Sequence, residues 1–333
     1  MPKHPVFAAL NINVFPKKSL NKCWIHLIED GVGHPVLVPV IILRGQNNGP
    51  IVGLTAAIHG NELNGVKVIQ KLLADIDVSE LRGTIVGIPM VNVPAVLRYQ
   101  RRYTDEEDLN RIMPGYSMGN ESQVYAHRFI EKIARHFHYL VDLHTASFGR
   151  VNSYYIRASL HDSEVRKMAM LQNAQIVLDS EGGFGTFREA ATNLGIHAIT
   201  VEVGDPNKFQ KGMIRSSMTG IFNLFFYLNM LEGEIEAPLT PTIVCSHSQW
   251  YYTDHGGVLE VFPNVAQEVK KGESIAIIRD AFGEGIKSYY APKDGVVIGK
   301  SVEPICPTGG RILHLGVVKE HPPETSLKPT PRK

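Results

Sequence analysis

A histidine and a glutamate three residues apart, His59 and Glu62 in His59-Gly60-Asn61-Glu62, are the first pair along the chain whose types and spacing could do chemistry. An imidazole and a carboxylate on one turn can face one ion, and such a mixed donor set suits Zn²⁺. On its own the pair reads more simply as a helix N-terminus with an acid in its first turn. His144, 85 residues further on at the end of another apolar run, supplies a third donor. Two histidines and a glutamate leave the fourth position of a tetrahedral ion open, as catalytic zinc requires and structural zinc does not. Asp142, two residues earlier and on the same face of an extended strand, is placed to orient a ligand. Glu202 lies near the end of the apolar run 196–204, where partial burial raises a carboxyl toward the range of a general base.

These residues need strands and helices to hold them. Residues 51–58 have the length and composition of a fully buried strand, and Val66, Ile69, Leu72, Leu73 and Ile76 follow at helical spacing. His59 and Glu62 thus fall where a strand ends and a helix begins, at the crevice where open α/β sheets bind ligands. Apolar runs at 23–28 and 36–43 precede that strand, and 83–90 and 139–145 read as further strands. Helical periodicity marks 123–138, 165–174, 186–194 with Arg188, and 220–231. The charged segment 98–111 reads as a solvated loop, or as a cover over the crevice if strand 83–90 lies beside strand 51–58.

Residues 232–241, with Gly233, Pro238 and Pro241, are the best linker. Beyond them the pattern changes to short strands and turns. We therefore expect two domains, a catalytic α/β domain over 1–236 and a small β-domain over 237–333, with a C-terminal tail that frays from Glu320. The β-domain resembles a biotinyl/lipoyl-type barrel-sandwich. Its hairpin tip reads Ile278-Arg279-Asp280-Ala281-Phe282 and offers no acceptor lysine, which argues against covalent cofactor attachment.

Composition narrows the partners. The chain has 333 residues, 44% of them hydrophobic, and 34 basic residues against 33 acidic, so no nucleic-acid footprint is expected. No window is apolar enough to span a membrane and the first 20 residues hold no sustained apolar core, so a cytoplasmic protein without a membrane partner is expected. Cys23, Cys245 and Cys306 show no paired spacing and read as small core hydrophobes. The remaining histidines, His314 among them, read as structural or surface groups.

Taken together, His59-Gly60-Asn61-Glu62, Asp108-Leu109-Asn110-Arg111, Asp142-Leu143-His144 and Val201-Glu202-Val203-Gly204 resemble the succinylglutamate desuccinylase/aspartoacylase family of zinc-carboxypeptidase-like hydrolases. The resemblance spans roughly residues 45–320. It implies a mixed, mostly parallel sheet flanked by helices, one zinc ion per subunit on His59, Glu62 and His144, and Glu202 as the catalytic glutamate. It also implies an arginine that polarises the scissile carbonyl, which falls on Arg102 in preference to Arg101. Asn110, Arg111 and Arg188 would contact the substrate carboxylate, and the β-domain would donate a tyrosine, Tyr289 or Tyr290. No HExxH or HxxEH pattern offers another zinc signature.

The chemistry so implied is hydrolysis of an N-acyl amino acid or a similar small anionic amide. The alternative is a metallocarboxypeptidase, which would use the same ligands on a longer peptide. A metal-dependent binding protein without turnover is the third reading. A homodimer is the default assembly.

Overall fold

The computed structural model describes residues 3–320, so the tail expected to fray from Glu320 lies essentially outside the described residues. The two-residue strand β1 (Val6–Phe7) precedes the antiparallel pair β2 (Ser19–Glu29) and β3 (Pro35–Arg44). Next come β4 (Asn47–Ala56), α1 (Asn64–Asp75), β5 (Arg82–Ile88), the short α2 (Val93–Leu97), α3 (Glu121–Lys132) and β6 (Tyr139–His144). Strands β7 (Arg150–Asn152) and β8 (Tyr154–Ala158) follow, then α4 (Ser163–Met170), β9 (Ile176–Asp179), α5 (Phe187–Asn193), β10 (His197–Val203) and α6 (Lys211–Tyr227). This is the mixed α/β architecture expected. Helix α6 begins nine residues before the expected 220, because its first turns carry Lys211, Arg215 and Ser216 and hide the apolar period.

The sheet order β3-β5-β4-β6-β10-β8-β9 decides where the chemistry sits. From β4 the chain crosses to β5 on one side, and then to β6 on the other, both parallel to β4. That reversal makes the carboxyl ends of β4 and β6 a switch point, where the connecting loops part and leave a crevice. Strand β10 continues the parallel run beside β6, with Glu202 opposite His144. Helices α1, α4 and α6 cover one face of the sheet, where Val66, Ile69, Leu72 and Leu73 pack with Leu224 and Phe225. On the other face α3 and α5 bring Phe129, Ile130 and Phe187 into contact with the core. Burying each such side chain contributes roughly 1.5–3 kcal/mol.

The C-terminal β-domain comprises β11 (Ile243–Tyr252), β12 (Gly257–Val261), β13 (Glu268–Val269), β14 (Ser274–Arg279), β15 (Gly285–Tyr290), β16 (Gly295–Ser301), β17 (Ile305–Cys306) and β18 (Arg311–Val318). One of its sheets, β15-β14-β12-β17, stands apart; the other, β11-β18-β16-β13, extends the large sheet through pairing of β11 with β9. Strand β7 leaves the α/β body to pair with β16, matching Asn152 to Gly299 and Arg150 to Ser301. Tyr155, Ile176, Leu178, Cys245, Val296 and Ile298 seal this junction in a shared apolar cluster. All three cysteines are buried and free, as small hydrophobes would be.

Candidate active site

The turn after β4 is shaped by close packing. Ala57 takes a left-handed φ of 53°, a strained conformation that re-aims the chain out of the strand. At Gly60 a Cβ would stand 2.1 Å from the carbonyl carbon of Ala95, so only glycine lets this turn lie against the backbone of α2. His59 and Glu62, each 2% exposed, then face His144 from β6.

His59 Nδ1 lies 2.9 Å from Glu62 Oε1, and His144 Nδ1 lies 3.0 Å from Glu62 Oε2. Each imidazole turns its other nitrogen to a carboxylate: His59 Nε2 is 3.0 Å from Asp108 Oδ1 and His144 Nε2 is 2.8 Å from Asp142 Oδ2. Asp142 is itself held by the Thr55 hydroxyl at 2.7 Å. Burial favours a neutral Glu62, yet the two imidazoles hold its carboxyl well below the usual range. Burial likewise opposes a charged His144, and Asp142 and Glu62 override it, raising the imidazole well above its ordinary value.

One donor atom from each of His59, Glu62 and His144 can be chosen so that all lie within 4.8 Å of one another. Three carboxylates around two imidazoles make a buried site that favours positive charge. With each Nε2 hydrogen-bonded to an acid, each Nδ1 is the nitrogen that faces Glu62, and a bound cation would displace any proton carried there. Such an arrangement suits a divalent cation, with Asp108 and Asp142 fixing the tautomers. The residues fit the metal that the sequence reading implies.

The loop 98–111 does lie over this crevice, since β5 pairs directly with β4. Its arginines correct one expectation. Arg102, assigned above to the carbonyl, is exposed and donates from Nη1 to the Glu106 carbonyl at 2.9 Å. Arg101 is the arginine at the site. Its Nη1 lies 3.3 Å from Glu62 Oε1 and also donates to the Ser147 hydroxyl, while Nε and Nη2 bind Asp108 Oδ2 at 3.1 and 2.8 Å. A two-pronged bond to a largely buried acid fixes the guanidinium plane. Arg101→Gln is therefore expected to lower kcat/KM by roughly 10² to 10³, and Arg102→Gln to leave it near wild type; steady-state kinetics on the two variants checks the assignment.

Glu202 projects into the same cleft with its side chain 12% exposed. Asn152 donates to Oε2 at 3.2 Å, the Tyr155 hydroxyl to Oε1 at 3.4 Å, and Arg157 Nε stands 3.7 Å away. Burial raises its pKa, and Arg157 is the strongest of the opposing influences. Asn110 accepts from the Phe187 backbone at 2.7 Å, which leaves its amide NH₂ available to the cleft. Arg111 is exposed and donates to the Asn110 carbonyl at 2.7 Å. Arg188, buried on α5, donates to the Ser180 carbonyl at 2.6 Å, and burial followed by the nearby Arg157 brings it down to about 10, so it stays charged at neutral pH.

Several cleft residues were not anticipated: Ser147, Arg150, Asn152, Tyr155 and Arg157 from the α/β body, and Trp250, Arg311 and His314 from the β-domain. Tyr155 and Arg157 had a readable signal, since alternate residues of an otherwise apolar strand share a face. Of the two readings offered for His314, structural or surface, burial excludes the second: it stacks on Trp250 at 5.0 Å, and its pKa is lowered to about 3 by burial and the neighbouring arginines. Neither tyrosine considered above lines the cleft; Tyr289 binds Asp254 at 2.8 Å and Tyr290 is 59% exposed.

A family model described as the succinylglutamate desuccinylase/aspartoacylase catalytic domain matches residues 48–228. N-alpha-acetyl-L-2,4-diaminobutyric acid deacetylase from Halomonas elongata is 27% identical over 284 residues, 80% of this chain and 81% of that protein. A succinylglutamate desuccinylase from Pseudomonas aeruginosa is 25% identical over 201 residues, 56% of this chain and 58% of its own length. Among solved structures, a succinylglutamate desuccinylase/aspartoacylase from Rhodobacter sphaeroides superposes with a TM-score of 0.82 at 22% identity, covering 94% of this chain and 99% of that one. The product-bound ectoine utilization protein EutE from Ruegeria pomeroyi does so with a TM-score of 0.80 at 20% identity, covering 90% and 95%.

Proposed function

Because the chain belongs to the succinylglutamate desuccinylase/aspartoacylase family, we propose that it is a zinc-dependent deacylase that hydrolyses the amide bond of a small N-acyl amino acid. The observation that carries this reading is the convergence of His59, Glu62 and His144 beside the sheltered carboxylate of Glu202, in one cleft of about 330 Å³. A cleft of that size fits a small molecule. Its wall of Trp250, Arg311 and His314 favours a short amide over the peptide of a carboxypeptidase.

Zinc held by His59, Glu62 and His144 would supply Lewis acidity toward the carbonyl and lower the pKa of water toward about 7. Glu202 takes the proton of the attacking water and returns it to the departing nitrogen. Arg101, locked by Asp108, stabilises the negative charge that develops on the carbonyl oxygen. Asn110, Arg111 and Arg188 bind a carboxylate of the substrate, for which a planar guanidinium with two parallel donors is suited. A panel of N-acyl amino acids against short peptides, assayed with the zinc-loaded protein, tests the reading. Turnover of peptides alone would refute it.

The base must be ionised to work, so activity falls as pH drops through the pKa of Glu202. Arg157 opposes the upward push of burial, and removing its charge raises that pKa further. In Arg157→Gln the acid limb of the kcat profile is accordingly expected at higher pH than in wild type. An unmoved limb would assign the acid limb to another group.

A further inference from the structure

The two groups that hold the Glu202 carboxylate come from β7 and β8, and both are backed by the β-domain. Asn152 Nδ2 donates to Oε2 at 3.2 Å and the Tyr155 hydroxyl to Oε1 at 3.4 Å, so each oxygen has its own donor. Arg157 donates to the phenol oxygen of Tyr155 from Nε at 3.0 Å and from Nη2 at 2.8 Å. A guanidinium offers no acceptor in return, so the single hydroxyl proton is left for Glu202.

The grip on Asn152 is built by β16. In the ladder between β16 and β18, Val297 stands opposite Leu315 and Gly299 opposite His314, which makes Ile298 the extra residue of a bulge. The Ile298 carbonyl accepts the Ser153 N–H at 2.9 Å and the Ser153 hydroxyl at 3.0 Å, and so anchors the chain between β7 and β8. Gly299 pairs with Asn152 itself. A Cβ on residue 299 would stand 2.4 Å from Asn152 Oδ1 and 2.9 Å from the Val151 carbonyl oxygen, both too close for a carbon atom. The Asn152 amide thus keeps its place because residue 299 has no side chain. Tyr155 is backed by Cys245, Val296 and Ile298 in the junction cluster, and its ring meets that of His314 edge-on at 6.5 Å.

We propose that the β-domain aims the general base: through the Ile298 bulge and the bare Gly299 it fixes Asn152, and Asn152 is a positioning residue that, with Tyr155, sets the direction of the Glu202 carboxylate. That Glu202 is the base rests on the deacylase reading; that Asn152 orients its side chain does not. A group that takes a proton in the transition state must be held to well within an ångström, and a misplacement of that order costs roughly 100-fold in rate.

The test combines kinetics of the zinc-loaded variants, on the N-acetyl or N-succinyl amino acid that wild type hydrolyses fastest, with their crystal structures. In Asn152→Ala, kcat is expected to fall roughly 10- to 100-fold with KM and zinc content near wild type, and the Glu202 carboxylate to leave its position. Asn152→Asp keeps the shape without the donor and should lose at least as much, whereas a residue that only fills space would tolerate it. In a Glu202→Gln background, loss of Asn152 should cost nothing further, since aiming a side chain that takes no proton changes no step. Gly299→Ala should lower kcat in the same way and add nothing to Asn152→Ala. Ser153→Ala, which drops one of the two bonds to Ile298, is the milder variant with the same expected direction if Gly299→Ala does not fold. A kcat equal to wild type in Asn152→Ala, a full additional loss in the Glu202→Gln background, or an unmoved carboxylate overturns the proposal. Additive losses from Gly299→Ala and Asn152→Ala overturn the part given to the β-domain. A wild type that hydrolyses none of these amides removes the deacylase reading, and the position of the Glu202 side chain in the crystals then decides the role of Asn152 by itself.

Discussion

Replacing Glu202 by glutamine is expected to lower kcat by roughly 10² to 10⁴ while zinc content and KM stay close to wild type. The glutamine amide has nearly the shape of the carboxylate and can still meet Asn152 and Tyr155, but it cannot carry a proton from water to the leaving nitrogen. Stability should not suffer. Burial raises the pKa of Glu202 above its unfolded value, so in the window between the two values the native state binds more protons and stability declines as pH rises. The ionised carboxylate therefore weakens the fold at neutral pH, and Glu202→Gln should melt at the same temperature as wild type or higher. Kinetics, metal analysis and thermal melts on one preparation check all three expectations. Full turnover in this variant would take the proton transfer away from Glu202, and a wild type that binds ligands without hydrolysing any amide would leave a binding protein as the better reading.

The second large effect is expected at His144. Its imidazole stands between the carboxylates of Glu62 and Asp142, both no more than 2% exposed. His144→Ala would remove a proposed metal ligand and take one partner from each of two buried acids. Loss of a partner from such an ion pair costs roughly 3–5 kcal/mol. Zinc affinity should fall by more than the roughly 10- to 100-fold typical of losing a group that merely orients a ligand. The measurements are zinc stoichiometry after gel filtration and the Tm of the metal-free protein. His197 is the control, because it is 38% exposed and its contact with Asp162 at 3.1 Å is a surface pair. His197→Ala should change stability by about 1 kcal/mol or less and leave zinc binding alone. Equal zinc content in the two variants would dismantle the proposed metal centre.

The trio His59, Glu62 and His144 was legible because each residue follows a short-range signal. A run of buried apolar residues ends, a polar turn begins, and the side chain next to that boundary must stand at the carboxyl edge of a sheet. Glu202 was legible for the same reason. The choice between Arg101 and Arg102 was not, because a loop without a helix or strand period gives no rule for which of two neighbours turns inward. There the decision comes from Asp108, whose carboxylate accepts both His59 and Arg101.

The β-domain shows the same division on a larger scale. Its existence as a domain of short strands could be read from turn residues and alternating short runs. Its extension of the main sheet through β9 and β11, and its capture of β7, could not. The captured strand carries Asn152 to Glu202 and Arg150 to Trp250, so a domain that looked appended in sequence builds part of the cleft.

By itself the amino-acid order determined the fold class and the strand ends that carry His59, Glu62, His144 and Glu202, since these depend on periodicity and on the nature of neighbouring side chains. Only the tertiary structure decided which arginine reaches Glu62 and Asp108, which residues flank Glu202, and that Arg150 and Arg311 share one indole. Those outcomes depend on contacts between segments apart in sequence, such as the loop with His59, β8 with β10, and β7 with β16, and such register is set by mutual burial and hydrogen bonding across the whole sheet rather than by any local stretch of chain.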